Sequence, residues 1–416
     1  MSIKFRLTIM NFMQFFLWGS WLTSIGVYLG GTLHFEGSQI GAVFTTLGIA
    51  AFIMPAIIGI IADKYINAEK LYGVCHIIGG ATLIWAAQIS TPEAMFRAML
   101  LNSLFYMPTI SLCYSVSYHI LSKSQLDVIK EFPNIRVWGT IGFILAMWIV
   151  DGMGWTASNM QLYFGAGASF ALGIYAFTLP TCETKKEKAK SLFEALGLDA
   201  LVLFKSPKML VFFIFAILLG AALQITNAFG QDFLVSFNQF DEYKNSFGVK
   251  HPGIIMSISQ ISETIFILTI PFFLRKFGIK KVMLMAMLAW VLRFGLFSIG
   301  NPGTGVILII LSNIVYGMAF DFFTISGSLF VEKETEDKIR SSAQGLYLMM
   351  TNGVGIILGG FFSGFVVDLY TNGAQRDWPQ IWLVFAGYAL IMAILFFFLF
   401  KHDHKEEDFA NPSLGH

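Results

Sequence analysis

Charge is what this chain has least of. Asp, Glu, Lys and Arg make up 13% of its 416 residues, about half the share of a soluble domain, which excludes a water-soluble globule. The net charge of +1 offers no field for a polyanion, and no nucleic-acid partner is expected. Cysteine is scarce as well. Cys75 and Cys113 sit in apolar runs and Cys182 in a basic stretch, an odd set that supports neither a disulfide framework nor a metal site. HExxH, GxSxG and clustered Cys/His are all missing. An intramembrane enzyme would have to work with Glu263 and Asp321 alone as an acid–base pair, so no enzymatic activity, cofactor or metal is expected. The N-terminus has no small-residue cleavage site, and Phe5–Leu33 is too long for a signal h-region, so it is expected to stay as a first span.

What the chain does have is hydrocarbon: 56% hydrophobic residues, 43 of them Phe. Twelve apolar segments follow, at about 5–33, 38–62, 71–89, 94–121, 134–152, 160–180, 209–235, 253–274, 281–299, 304–331, 341–370 and 380–400. Each is long enough to cross a bilayer core of about 30 Å as a helix. An all-α polytopic membrane protein is the fold class. With both termini inside, only Arg97, Lys244, Lys250 and Arg376 of the 27 basic residues fall outside, and Arg293 lies within a helix. By the positive-inside rule, both ends are then cytoplasmic. A polar stretch fronted by Lys185, Lys186, Lys188 and Lys190 divides the spans six and six. Its later part, SLFEALGLDALVLF, is spaced to lie on the membrane surface. The expected organisation is a six-helix bundle over 1–180, a cytoplasmic linker over 181–208, a second bundle over 209–401 and a cytoplasmic tail over 402–416.

The halves echo each other. GIIADK (59–64) after the second span is matched by PFFLRK (271–276) after the eighth, and Gly139 and Gly142 by Asn352 and Gly355. Parallel six-helix repeats leave such weak symmetry. Gly-x-x-x-Asp-Lys resembles the signature of the major facilitator superfamily, although Tyr65-Ile66-Asn67 replaces the usual continuation. Asp63 and Lys64 are read as a latch between cytoplasmic helix ends rather than as ligand contacts.

Polar residues inside the spans are few and unevenly placed. Glu263 falls in the middle of the eighth, where a carboxylate costs about 2.5–3.5 kcal/mol on insertion scales. Gln260 shares its helix face, and at the repeat offset the pair falls opposite Gly48 and Ala51, so the carboxylate belongs to the second half alone. Gln224 and Asn227 repeat the i, i+3 spacing in the seventh span. Arg136, Thr140 and Phe143 share a face of the fifth, and Tyr316, Phe320 and Phe323 form a stripe in the tenth with Asp321 beside it. Packing accounts equally for many of these. Amides in spans hydrogen-bond neighbouring helices, a Phe/Tyr stripe is common core, and Arg136 also suits a cytoplasmic anchor. Arg293, His76 and His119 are read as structural, each satisfied by a neighbouring group. Mid-bilayer carboxylates demand more, and for Glu263 and Asp321 function is the preferred reading. Paired amides match a nucleobase edge or sugar hydroxyls, aromatic faces stack on a flat base, and a carboxylate accepts from vicinal hydroxyls. With no basic run facing the presumed cavity, phosphorylated substrates are not expected; polyols and sugars stay compatible.

Eight strings carry a closer resemblance: FMQFFLWGSW (12–21), GIAAFIMPAIIGIIADK (48–64), FPNIRVWGTIGF (132–143), LGLDA (196–200), LQITNAFG (223–230), SISQISETIFILTIPFF (257–273), YGMAFDFF (316–323) and SAQGLYLMMTNGVG (342–355). They are similar to the nucleoside:proton symporter family of the major facilitator superfamily, the bacterial nucleoside permeases. The 236–252 loop and the C-terminal tail depart from it. The resemblance implies two six-helix halves, alternating access, and proton-coupled nucleoside uptake across a bacterial inner membrane by a chain expected to act as a monomer. It implies a nucleoside site at Arg136, Thr140, Phe143, Gln224, Asn227, Gln260, Glu263, Tyr316 and Phe320, with Asp321 tied to proton coupling. Because Asp321 lies about 140° from Tyr316 and 100° from Phe320 around the helix, it is expected off the aromatic face. Glu263, alongside Gln260, is expected to hold the ribose and is the second candidate for the proton. The alternatives are a permease for another hydroxylated solute, one restricted to xanthosine, and a membrane receptor or scaffold that does not transport.

Overall fold

The computed structural model describes residues 2–183, 196, 198–337, 339–373 and 375–402. The Lys185–Lys190 run, residues 191–195 and the tail beyond 402 lie outside the described residues. The spanning elements are α1 (Ile3–Gly19), α2 (Gly37–Lys64), α3 (Ala68–Ala86), α4 (Pro92–Lys123), α5 (Val128–Gly152), α6 (Met160–Ala176), α7 (Pro207–Ser236), α8 (Pro252–Ile267) and α9 (Ile270–Ile299). They are completed by α10 (Val306–Glu334), α11 (Arg340–Leu369) and α12 (Trp378–Leu399). Among the described residues, 8 helices are individually long and apolar enough to cross a membrane. The others, α1, α3, α6 and α8, are shorter or more polar. The architecture is the twelve-helix major facilitator fold.

Several boundaries differ from the sequence expectation. The first span is broken: α1 stops at Gly19, and the chain reaches Leu33 through turns, a short helix Ile25–Val27 and a π-turn Tyr28–Thr32. The eighth span runs on past Leu274, because α8 pauses at Leu268–Thr269 and the chain turns only at Gly278. There φ is 75°, a conformation open to glycine and strained for other residues. Span α10 is interrupted at Phe320, so Asp321 opens a new helical stretch, Asp321–Glu334. Span α11 carries a π-helical segment, Met349–Gly355, facing the cavity through Met349 and Asn352. Of the amphipathic stretch of the linker, Leu198–Lys205 is a 3-10 helix packed against α7 and α11.

Each half buries its apolar faces internally: α1 on α5, α3 on α6, α8 on α10 and α9 on α12. Between the halves α2 packs on α11 and α5 on α8, two interfaces exchanged by the sequence repeat. Both are closed by hydrogen bonds at the end of the molecule that carries Gly37 and Asp151. Asp368 accepts from the Gly37 N–H at 2.6 Å and the Ser38 N–H at 2.8 Å, satisfying free donors of the first turn of α2. Trp148 Nε1 donates to Ser257 Oγ at 2.8 Å, and Gln231 Nε2 to Thr23 Oγ1 at 2.9 Å. A side chain at Gly41 would put its Cβ 2.1 Å from the Gly360 carbonyl oxygen. The helices meet backbone to backbone, as small residues allow in a membrane.

Candidate functional site

Sealed at that end, the interface opens at the other. A cavity of about 800 Å³ runs from Leu22 and Gln260 to Asp63, Leu196 and Gly345, and Asp63 and Gly345 are exposed at its mouth. This volume is within the range of small-molecule sites. Pro55, inside α2, lies on its wall. Among the described residues Asp63 makes no ion pair, so the latch read from the sequence is not formed, and Lys64 rests over the Tyr65 ring at 5.9 Å.

All nine residues of the sequence-derived site, from Arg136 to Phe320, line this one cavity, drawn from α5, α7, α8 and α10. Phe143 and Tyr316 are almost fully buried, while Phe320 ends the first stretch of α10. Gln224 is 1% exposed, and among the described residues its Nε2 has no hydrogen-bond partner; the Oε1 of Gln260 is likewise unpaired. An amide donor and an amide acceptor are thus left open on adjoining walls. Each unmet polar atom costs about 1–3 kcal/mol, which hydrogen bonds from a ligand would recover. No salt bridge engages Glu263 among the described residues.

Arg136 is held from below rather than by a counter-ion. Its Nε donates to the Tyr114 hydroxyl at 2.8 Å, and its guanidinium lies 4.1 Å from the Phe15 ring centroid. Among the described residues no other hydrogen bond engages it, and it lines the cavity. Phe15, Trp18, Tyr114 and Asn352 are lining residues that reading by position did not single out. Phe15 and Trp18 lie within the FMQFFLWGSW string, and a signal for Tyr114 was present in Ser111, Tyr114 and Ser115, three polar groups on one face of α4. Trp18 packs edge-on to Phe143 at 6.3 Å and against Tyr106 at 5.4 Å.

Asp321 is not on the lining. It is 8% exposed, among the described residues its Oδ2 has no hydrogen-bond partner, and Glu263 and Arg136 are its electrostatic neighbours. Phe323, the third member of the aromatic stripe, points into the bundle against Phe212 and Phe396. His76 is paired with Gln14 Oε1 at 3.0 Å, whereas among the described residues His119 Nε2 has no partner, which corrects the reading of both histidines as satisfied. Cys75, Cys113 and Cys182 are free and buried. Among the described residues no group of His, Cys, Asp and Glu could hold a metal ion.

A twelve-span carrier with a central cavity between two halves, open at one end only, is the class that this fold and site define. The chain belongs to the Nucleoside H+ symporter family, whose signature matches residues 1–405. It is 53% identical to the nucleoside permease NupG of Escherichia coli over 100% of both chains. It is also 53% identical to the xanthosine permease of the same organism, again over 100% of both. A crystal structure of the nucleoside transporter NupG, determined on an aspartate-to-alanine variant, superposes with a TM-score of 0.94 at 54% identity, covering 96% of this chain and 100% of that one.

Proposed function

We propose that this protein imports nucleosides together with protons across the bacterial inner membrane, by alternating access and without enzymatic activity. What carries the reading is the convergence of the nine site residues on one cavity between the halves. Phe143 and Phe320 supply faces for the base, Gln224 and Asn227 a donor–acceptor edge, and Gln260 and Glu263 acceptors for ribose hydroxyls. Arg136 reaches in from the mouth side. Asp321, buried beside the site and unpaired, is the proton-coupling group, with Glu263 as the second candidate.

The mouth at Asp63 and Leu196 faces the cytoplasm in this reading, as does each terminus, so the structure stands in its inward-open form. The bundles 1–180 and 209–401 rock about the cavity, joined by the 181–208 linker, and the chain acts as a monomer. The family and the relatives support nucleosides and protons as cargo. The identity shared equally with a xanthosine permease leaves a xanthosine-restricted permease as the second reading. Parallel uptake of radiolabelled uridine, adenosine, xanthosine and glucose into cells expressing the protein separates the readings. The proposal expects uridine and adenosine to enter and glucose to be excluded; uptake of xanthosine alone would favour the second reading, and uptake of glucose would overturn both.

A further inference from the structure

One buried charge takes no part in the reading above. Arg293 of α9 is 1% exposed, and among the described residues no carboxylate lies within ion-pair distance of it. A cation taken out of water without a counter-ion is unfavourable unless its surroundings are arranged for it. Here they are neutral. Its Nη1 donates to the Ser312 carbonyl at 2.9 Å and reaches Ser259 Oγ at 3.3 Å and Asn313 Oδ1 at 3.5 Å. Ser259 Oγ in turn donates to Asn313 Oδ1 at 2.7 Å, and Ser312 Oγ to the Arg293 carbonyl at 2.9 Å. The guanidinium lies over the face of Tyr316, 4.6 Å from the ring centroid, while its Nε has no partner among the described residues.

These contacts are placed with respect to the cavity. Ser259 immediately precedes Gln260 in α8 and lies one turn before Glu263. Ser312 and Asn313 lie one turn before Tyr316 in α10, and the Tyr316 ring under the cation lines the cavity, whereas Arg293 does not. One side chain of α9 thus joins the two helices that carry Gln260, Glu263, Tyr316 and Phe320. Trp290 closes on the same ring edge-on at 5.9 Å.

We infer that Arg293 is a positioning residue for the substrate: it fixes α8 against α10 and holds the Tyr316 ring at the cavity wall. This rests on the nucleoside reading of that cavity. Two properties of arginine are used together, a flat cation for the ring face and a fork of donors for the carbonyl and hydroxyl; lysine keeps only the charge.

The test is equilibrium binding of uridine to the full-length protein in lipid nanodiscs, with thermal unfolding of each variant recorded alongside. R293M is expected to raise Kd at least about tenfold and R293K about threefold, the loss of one or two oriented contacts. In a Tyr316→Ala background each loss is expected to shrink, because Arg293 acts in part through that ring; a general loss of packing would weaken binding equally in both backgrounds. Wild-type affinity in a folded R293M or R293K protein, or a loss that persists undiminished beside Tyr316→Ala, overturns the inference. If R293M fails to fold, the R293K pair decides alone. A wild-type protein that binds no uridine would instead sink the nucleoside reading itself.

Discussion

Asp151, in the last turn of α5, holds His251 across the interface between the halves: its Oδ2 lies 2.9 Å from His251 Nδ1, while its Oδ1 accepts from the Gly253 N–H at 2.9 Å. One carboxylate thereby ties the end of an N-terminal-half helix to the start of α8, at the opposite pole from the cavity mouth. Asp368 does the same for α2 and α11. Together they close the pole opposite the cavity mouth, which the proposed transport cycle takes as the outer gate.

Removing either carboxylate is expected to favour the outward-open form. Asp151→Ala strips the acceptor from two donors, an effect of about 1–3 kcal/mol, enough to move a balanced two-state equilibrium several-fold or more. Spin labels on the outer ends of α5 and α8 are expected to show a longer-distance population in the variant. An unchanged distance distribution would mean that the clamp does not set the equilibrium.

The glycine contact between α2 and α11 makes a separate demand. With 2.1 Å from a built Cβ at Gly41 to the Gly360 oxygen, no larger side chain fits the closed gate. Gly41→Leu is expected to block closure on the outer side and abolish net uptake, while the protein remains folded in the membrane. Normal uptake by this variant would show that the helices can seal at a greater separation.

In the cavity, Phe143→Ala and Phe320→Ala are each expected to weaken uridine binding by about 1–3 kcal/mol, the range for one base stacked on an aromatic ring. Gln224→Ala is expected to weaken it by about the worth of one hydrogen bond, 0.5–1.5 kcal/mol. Calorimetric titration of purified variants checks both. Undiminished affinity in Phe143→Ala and Gln224→Ala together would remove the base from this wall.

The positions of the spans and the faces of α5, α7, α8 and α10 were legible in the sequence. Apolar length marks a span, and an i, i+3 or i, i+4 polar pair marks a face that avoids lipid. The breaks were not legible. No proline marks those after Gly19 and at Phe320, where tertiary packing rather than propensity ends the helix. The partners of Arg136 were hidden for a related reason. Periodicity tells which residues share a face and not which neighbouring helix meets it, so Phe15 and Tyr114 emerge only once α1, α4 and α5 are assembled. For Arg293, satisfaction by a neighbouring carbonyl or carboxylate was expected; the Ser312 carbonyl supplies it, and the Tyr316 ring beneath the cation was not foreseen.

Support for Arg136 is open to its own check. Tyr114→Phe keeps the ring and deletes the acceptor of the 2.8 Å bond, so uridine affinity is expected to fall less than in Arg136→Ala. If Arg136→Ala transports normally and alters only expression or orientation, the arginine is a membrane anchor.

The two carboxylates are expected to separate by assay. Asp321→Asn should bind uridine and support counterflow exchange, yet lose accumulation driven by a proton gradient. Glu263→Gln should lose affinity in binding and exchange alike. Concentrative uptake retained by Asp321→Asn would move the coupling role to Glu263.

The coupling of nucleoside to proton is tested most directly in proteoliposomes of the wild-type protein, with no ion gradient except an imposed pH step, acid outside. Internal radiolabelled uridine is expected to rise transiently above the external concentration, in step with proton entry, and a protonophore is expected to collapse it to equilibrium. Uridine that only equilibrates, or that accumulates unaffected by the protonophore, would contradict proton-coupled import.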